Sequence, residues 1–110
     1  MTTLLPFQAA RYLDAVERDD VDAALSCLAP GATVVDEGRS HTGDDVRTWL
    51  TTTSSEFTFT RDFRGLEPLD EHRSVARFHL EGDFPGGVVD LRFTFTTGAD
   101  GLVTRLEIAP

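Results

Sequence analysis

The stretch ATVVDEGRSHTG, residues 32–43, places two carboxylates, Asp36 and Glu37, directly after a short apolar run. Side chains alternate between the two faces of a strand, so Asp36 shares a face with Ala32 and Val34. If that face points inward, the carboxylate loses hydration and becomes a stronger proton acceptor near neutral pH. The alternative is that Asp36 and Glu37 open a solvated turn at the following glycine. The local sequence leaves both interpretations open.

Aromatic residues are numerous enough to line a pocket for a flat ligand, since the chain has 8 Phe and one Trp. The same residues could simply fill a core, and such a core could still leave a cavity. We take the candidate pocket lining to be Trp49, Phe57, Phe59, Phe63, Phe78, Leu91 and Phe93.

The residue pattern does not support a metal site, a reactive cysteine or a serine nucleophile. The three histidines, His41, His72 and His79, are too far apart for a paired metal site. Cys27 is the one cysteine, which rules out an internal disulfide and favours inert packing. No serine lies in a nucleophile-elbow context. We therefore predict neither a metal nor a cofactor.

Length and charge narrow the class of partner. With 110 residues and 40% hydrophobic content, residues 1–110 should form one domain with one core. A formal charge of −9 disfavours nucleic acid and anionic membrane surfaces as partners. The opening MTTLLPFQAA is neither a signal peptide nor a membrane span, so we expect a cytoplasmic protein. The expected ligand is a small hydrophobic molecule.

Apolar spacing predicts three helices in the first half of the chain. The first runs from Pro6 to about Arg18, with an apolar stripe of Phe7, Ala10, Leu13 and Val16. The second is capped by Asp19 or Asp20 and ends at Pro30-Gly31. The third follows a capping box at Thr42–Asp45 and buries Val46, Trp49 and Leu50.

The second half alternates apolar and polar residues and contains glycines suited to tight hairpins, as in FPGG and TTGADG. Four strands should therefore form an antiparallel meander. The predicted order is α-α-β-α-β-β-β-β, an α+β fold in which three helices pack on a curved antiparallel sheet.

This pattern resembles the nuclear transport factor 2-like (NTF2-like) superfamily, especially its SnoaL-like and ketosteroid isomerase-like branch. The resemblance rests on ARYLDAVERDDVDAALSCLAPGATVVDEG, HTGDDVRTWL and DLRFTFTTGADGLVTRLEIAP, and covers nearly the whole chain. It implies a cone whose helices and sheet enclose an apolar pocket, on which many different functions are built.

The resemblance also implies roles for two residues. It places the oxyanion-binding tyrosine of ketosteroid isomerase on Tyr12 and the general-base aspartate on Asp36; that isomerase's chemistry is a known example of pKa tuning. Its third acid falls on Leu91 or Phe93, neither of which can donate a hydrogen bond. Without the resemblance, Tyr12 could equally be a core or rim tyrosine.

These observations lead to a hypothesis and two alternatives. The hypothesis is cofactor-free proton transfer on a cyclic, ketone-bearing substrate, by an isomerase or a polyketide cyclase-like enzyme with an incomplete isomerase site. The first alternative is a module that binds a small hydrophobic ligand without catalysis. The second is a dimerisation domain, because the polar face of the sheet could pair with the same face of a second copy. Under each of the three hypotheses we expect a homodimer.

Overall fold

A computed structural model describes residues 7–56 and 59–110, with side chains in those ranges except at residues 53–56. Three helices pack on one curved, mixed sheet, which confirms the predicted α+β class. The strand order across the sheet is β2-β1-β6-β5-β4-β3. The elements are α1 Phe7–Glu17, α2 Val21–Ser26, β1 Leu28–Asp36, β2 Arg39–Thr42, α3 Asp44–Glu56, β3 Phe59–Pro68, β4 Arg73–Gly82, β5 Val88–Thr97 and β6 Val103–Ala109.

Helix α1 lies where the sequence predicts it, but its buried face is rotated by one position. Ala9, Tyr12 and Ala15 are the buried residues, whereas Phe7, at one end of the predicted stripe, is 73% exposed. Ala9 and Ala15 flank the tyrosine on this face, about one turn to either side. The rotation carries Tyr12 into the interior.

Helix α2 begins as predicted and ends earlier. The side chain of Asp20 caps it by accepting from the Ala23 backbone N–H at 3.1 Å. The predicted end at Pro30-Gly31 is wrong, because the helix stops at Ser26 and the chain enters β1 at once. The residues between Leu28 and Thr33 form an irregularity where β1 meets β6.

Strand β2 is absent from the sequence prediction. It forms a hairpin with β1 in which Asp36 pairs with Arg39. Only Glu37 and Gly38 lie in the loop, with φ of 53° and 76°. Positive φ at both positions is the signature of a type I′ turn, which matches the twist of a hairpin. Thr42 therefore belongs to a strand and not to the predicted capping box.

The turn residue Glu37 offers a stability prediction. Glutamate is strained at positive φ, whereas asparagine tolerates it and Asn-Gly is the favoured type I′ pair. We expect Glu37→Asn to raise the free energy of unfolding by about 0.5 kcal/mol or more in urea titrations. Glu71→Asn, which removes the same charge at a residue without positive φ, is the control. Equal effects of the two substitutions would contradict this account of the turn.

Strands β3 to β6 form the predicted antiparallel meander. The sheet as a whole is mixed, however, because β1 pairs in parallel with β6, and the expectation of a purely antiparallel sheet is wrong. Antiparallel pairing of β1 with β2 completes the edge. One face of this sheet packs against the helices, and we call it the concave face. The largest fully buried side chains of the core are Tyr12, Phe95, Leu106, Val34, Val103 and Cys27.

None of the helices in the described ranges is long and apolar enough to cross a membrane.

Candidate functional site

Asp36 is the last residue of β1 and lies on the concave face. It has the same orientation along the strand as Val34, which is fully buried. It pairs with Ile108 of β6, which in turn pairs with Phe93 of β5. The solvated turn is formed by Glu37 and its neighbour, so Asp36 is a strand residue at the edge of an apolar surface.

Helix α3 holds the Asp36 carboxylate in place. The indole N–H of Trp49 donates a hydrogen bond to Asp36 Oδ2 at 3.0 Å. The indole stacks on His41, with ring centroids 5.7 Å apart. His41 in turn lies 2.7 Å from Asp45, measured from Nδ1 to Oδ2, and this anchors the ring to the start of α3. A chain of contacts therefore orients the half-buried carboxylate.

Tyr12 supplies a phenol to the same interior. It is 1% exposed and its ring makes an edge contact with Phe95, with centroids 5.9 Å apart. Burial raises the pKa of Tyr12 far above its usual value; Arg61 opposes this rise and Asp36 adds to it. Tyr12 therefore stays protonated at neutral pH and can act as a hydrogen-bond donor.

Tyr12 is the one tyrosine of the chain, so its titration can be followed alone. Because folding raises its pKa above the usual 10.0, the stabilisation is complete below about pH 10 and is lost as pH rises through the folded-state pKa. We expect no tyrosinate absorbance at about 295 nm near pH 11 while the protein stays folded. In denaturant the midpoint should return to about 10. A folded-state midpoint near 10 would contradict this burial.

Arg61 is a residue that the sequence analysis missed. It pairs with Leu80 across β3 and β4, which directs it to the concave face. Its side chain is only 9% exposed. The guanidinium lies 5.7, 5.9 and 6.0 Å from the ring centroids of Phe59, Phe78 and Phe93, respectively. In FTFTRDFR, Arg61 shares its parity with the phenylalanines on both sides, and this signal could have revealed an inward arginine.

The charge of Arg61 is only partly compensated. Its Nη1 is 3.8 Å from Glu17 Oε2, and its buried Nε has no hydrogen-bond partner among the described residues. Burial lowers the pKa of Arg61, and Glu17 counteracts part of that effect. The apolar interior therefore contains a cation, which interacts electrostatically with Tyr12.

The predicted aromatic lining is placed unevenly. Phe78 and Phe93 are buried and make an edge contact, with centroids 5.2 Å apart, and Phe63 extends this series at 5.6 Å from Phe78. Phe63 is nevertheless 55% exposed, so it lies at a rim. Phe59 and Leu91 pack partly buried against the core. Phe57 lies outside the described residues.

The resemblance noted in the sequence places the third isomerase acid at Leu91 or Phe93, both apolar residues of β5. Phe93 is buried on the concave face, and Leu91 has the same orientation along β5. Asp90 lies on the opposite face, where its carboxylate is 2.6 Å from His79 Nδ1. Asp90 therefore does not take the place of that acid.

Two surface grooves among the described residues lie away from Tyr12 and Asp36. A groove of about 270 Å³ crosses the outer face of the sheet, lined by Glu67, Leu69, Val75, Arg77, Arg92, Thr94, Glu107 and Ala109. On the concave face, the near-complete burial of Tyr12 shows that this conformation is closed around the phenol. A ligand that contacts Tyr12 must displace neighbouring side chains.

Comparison with known proteins gives the family. No family model matches the chain, and no curated protein matches it significantly. The crystal structure of a candidate polyketide cyclase from Sinorhizobium meliloti, however, is 32% identical, with a TM-score of 0.87 over 96% of this chain and 95% of that one. The chain belongs to the NTF2-like superfamily.

Two further structures are similar to this NTF2-like chain in fold alone. One is a Mycobacterium tuberculosis protein in complex with estradiol-17β-hemisuccinate, at 17% identity and TM-score 0.77 over 94% of this chain and 90% of that one. The other is the Δ5-3-ketosteroid isomerase of a Mycobacterium species, at 18% identity and TM-score 0.76 over 94% and 89%. At such identities the shared cone does not transfer an activity.

Proposed function

We propose that this protein catalyses cofactor-free proton transfer beside a ketone of a small, cyclic, hydrophobic molecule, as an isomerase or a polyketide cyclase-like enzyme. One observation carries the proposal: a carboxylate held by Trp49 and a protonated phenol belong to the same concave interior. The Trp49 indole holds the Asp36 carboxylate, and burial keeps the Tyr12 phenol protonated.

The two groups have complementary roles in enolisation. Asp36 accepts the proton from the carbon next to the carbonyl, and the electron pair of that C–H bond moves to the carbonyl oxygen. Tyr12 donates a hydrogen bond to the resulting oxyanion. In an isomerase the proton returns to a different carbon; in a cyclase the enolate carbon attacks a second carbonyl. Neither route needs a cofactor.

The relatives support this class of substrate. The structure most alike among those described above is named a candidate polyketide cyclase, and the fold also carries a ketosteroid isomerase and a protein solved with a steroid ester. Polyketides and steroids share carbonyl groups on an apolar framework. The partly or largely buried aromatic rings Phe59, Phe78 and Phe93 suit such a framework.

Binding without catalysis is the second candidate, and two observations favour it. Leu91 and Phe93 occupy the position of the third acid, so one oxyanion donor of the isomerase is missing. Tyr12 is also closed off from solvent. In that case, apolar ketones would raise the melting temperature of the protein while no proton transfer was detected.

Ultraviolet detection of enone formation from a 5-ene-3-ketosteroid tests catalysis. We expect conversion above the buffer rate, at a rate proportional to protein concentration. Steroid binding without conversion would favour the second candidate. The absence of both binding and conversion would contradict the steroid isomerase form of the proposal.

We also propose a cytoplasmic homodimer that associates through the outer face of the sheet. This face mixes both signs of charge, with Arg77 paired to Glu67 and with His79 between Asp90 and Glu81. Such a surface can be complementary to its own copy. Light scattering should then give twice the chain mass of 12.1 kDa, whereas the single-chain mass would contradict the dimer.

A further inference from the structure

We propose that Arg61 is a binding site for a carboxylate, so that the ligand of the concave face is a hydrophobic carboxylic acid. The inference rests on the proposed function in using the same interior, but it requires binding only. It assigns to the guanidinium the role of fixing the orientation of the ligand.

The first argument is the cost of the buried charge. A guanidinium removed from water is destabilising unless charged and hydrogen-bonding partners replace its hydration. Arg61 is only 9% exposed, yet its buried Nε has no hydrogen-bond partner among the described residues. The buried cation is therefore incompletely satisfied, and a ligand with a matching anion would satisfy it.

Glu17 does not meet this requirement. Its Oε2 is 3.8 Å from Nη1, beyond hydrogen-bond distance, and its own side chain is 63% exposed. A solvated carboxylate at that distance attracts the guanidinium only weakly. The contact with Glu17 leaves the buried Nε of Arg61 without an acceptor, which a ligand carboxylate would supply after displacing neighbouring side chains.

The surroundings of Arg61 indicate the rest of the ligand. The rings of Phe59, Phe78 and Phe93 surround the guanidinium, with every centroid between 5.7 and 6.0 Å from it. They neither accept a full hydrogen bond nor neutralise the charge, but they provide an apolar wall around it. An apolar body with one anionic end fits both features.

The charge balance around Arg61 favours a carboxylate over a phosphate. A guanidinium presents two parallel N–H groups that match two oxygens of either anion, so charge and not shape discriminates between them. The protein carries a net charge of −9, and Glu17 and Asp19 both act on Arg61 electrostatically. Arg61 neutralises the single charge of a carboxylate, whereas the second charge of a phosphate dianion would remain uncompensated in an apolar interior near these acids.

Matched acid and amide pairs test the inference. The probes are 2-naphthoate with 2-naphthamide, and 3-oxoandrost-4-ene-17β-carboxylate with its carboxamide, titrated by calorimetry at about pH 7.5. We expect the acid of at least one pair to bind the wild-type protein about 10-fold or more tightly than its amide. Equal binding of acid and amide in both pairs, or no binding by either acid, would overturn the proposal.

Variants assign the preference to Arg61. Arg61→Gln should reduce the acid preference to about 2-fold or less, since Gln retains only a neutral amide donor. Arg64→Gln removes a charge from an exposed arginine of the same strand and should leave the preference unchanged. An undiminished acid preference in Arg61→Gln would also overturn the proposal.

Glu17→Gln gives a second test that does not depend on the folding of Arg61→Gln. Removing the competing carboxylate should tighten acid binding by about 2- to 5-fold and leave amide binding unchanged. Weaker acid binding would show that Glu17 positions Arg61 for a structural purpose, contrary to the proposal.

The failure of this inference is distinguishable from the failure of the proposed function. Asp36→Asn should keep the acid preference even though it removes the proton acceptor. Enone formation with equal acid and amide binding would refute the carboxylate site alone. An acid preference without any proton transfer would refute the catalytic proposal alone.

Discussion

Asp36→Asn should lower kcat for ketone isomerisation by about 100- to 10,000-fold, which is the largest effect we expect from any single substitution. The amide cannot accept a proton from carbon, so the step that forms the enolate loses its base. Steady-state enone formation measures the loss. Glu37→Gln is the matched control, because it neutralises the adjacent acid on the exposed turn and should leave kcat within about 2-fold.

This loss should be separable from unfolding. The amide introduced by Asp36→Asn retains a side-chain oxygen where the carboxylate accepts from the Trp49 indole, so the packing of α3 against β1 should persist. We expect urea titrations to give free energies of unfolding for the variant and the wild type that differ by less than about 1 kcal/mol. If the folded variant keeps the wild-type kcat, Asp36 is not the base.

Tyr12→Phe should produce the second largest effect, a fall in kcat of about 100-fold, measured in the same enone assay. The substitution removes the hydroxyl that stabilises the oxyanion and retains the ring that contacts Phe95. The loss should be mainly in kcat, since the hydrogen bond is stronger to the oxyanion than to the ground-state ketone.

The stability of Tyr12→Phe provides the control for that loss. Phenylalanine preserves the apolar contacts of a 1% exposed ring, so the variant should remain folded at neutral pH. Above about pH 10 it should lose less stability than the wild type, because it has no phenol to ionise. A folded Tyr12→Phe variant with undiminished kcat would assign the oxyanion to another donor.

Much of the architecture could be predicted from periodicity. Burial alternates along β5 and the second half of β4, and Asp20 caps α2 with a local hydrogen bond. The prediction of the buried face of α1 was less exact, because the apolar stripe of this helix is broad. Leu13 and Val16 are partly buried beside the fully buried residues Ala9, Tyr12 and Ala15. A wide apolar stripe predicts that a helix forms but not which of its sides faces the core.

The errors concern contacts between residues that are distant in sequence. Pro30-Gly31 looks like a helix end, yet the chain has already entered β1, whose parallel partner β6 lies far along the chain, with Val103 opposite Leu28. Strand β2 is short and polar, so it has no apolar alternation to reveal it. Tertiary pairing overrides local propensity at both places.

The candidate site was only partly predictable. The alternation of ATVVD correctly oriented Asp36, and the predicted apolar residues at 91 and 93 face the interior. Trp49 as a donor to Asp36 could not be derived, because it depends on how α3 docks against β1. Arg61 was overlooked because charged residues usually face solvent, although its position among phenylalanines was visible in the sequence.

Hydrogen–deuterium exchange tests the central claim most directly, because it detects proton abstraction whether or not a product forms. 2-Tetralone incubated in D₂O would be followed by NMR at the carbon next to its carbonyl. We predict faster exchange with the wild-type protein than with equal concentrations of Asp36→Asn or with buffer alone. Exchange by the wild type no faster than by Asp36→Asn would contradict the assignment of Asp36 as the proton acceptor.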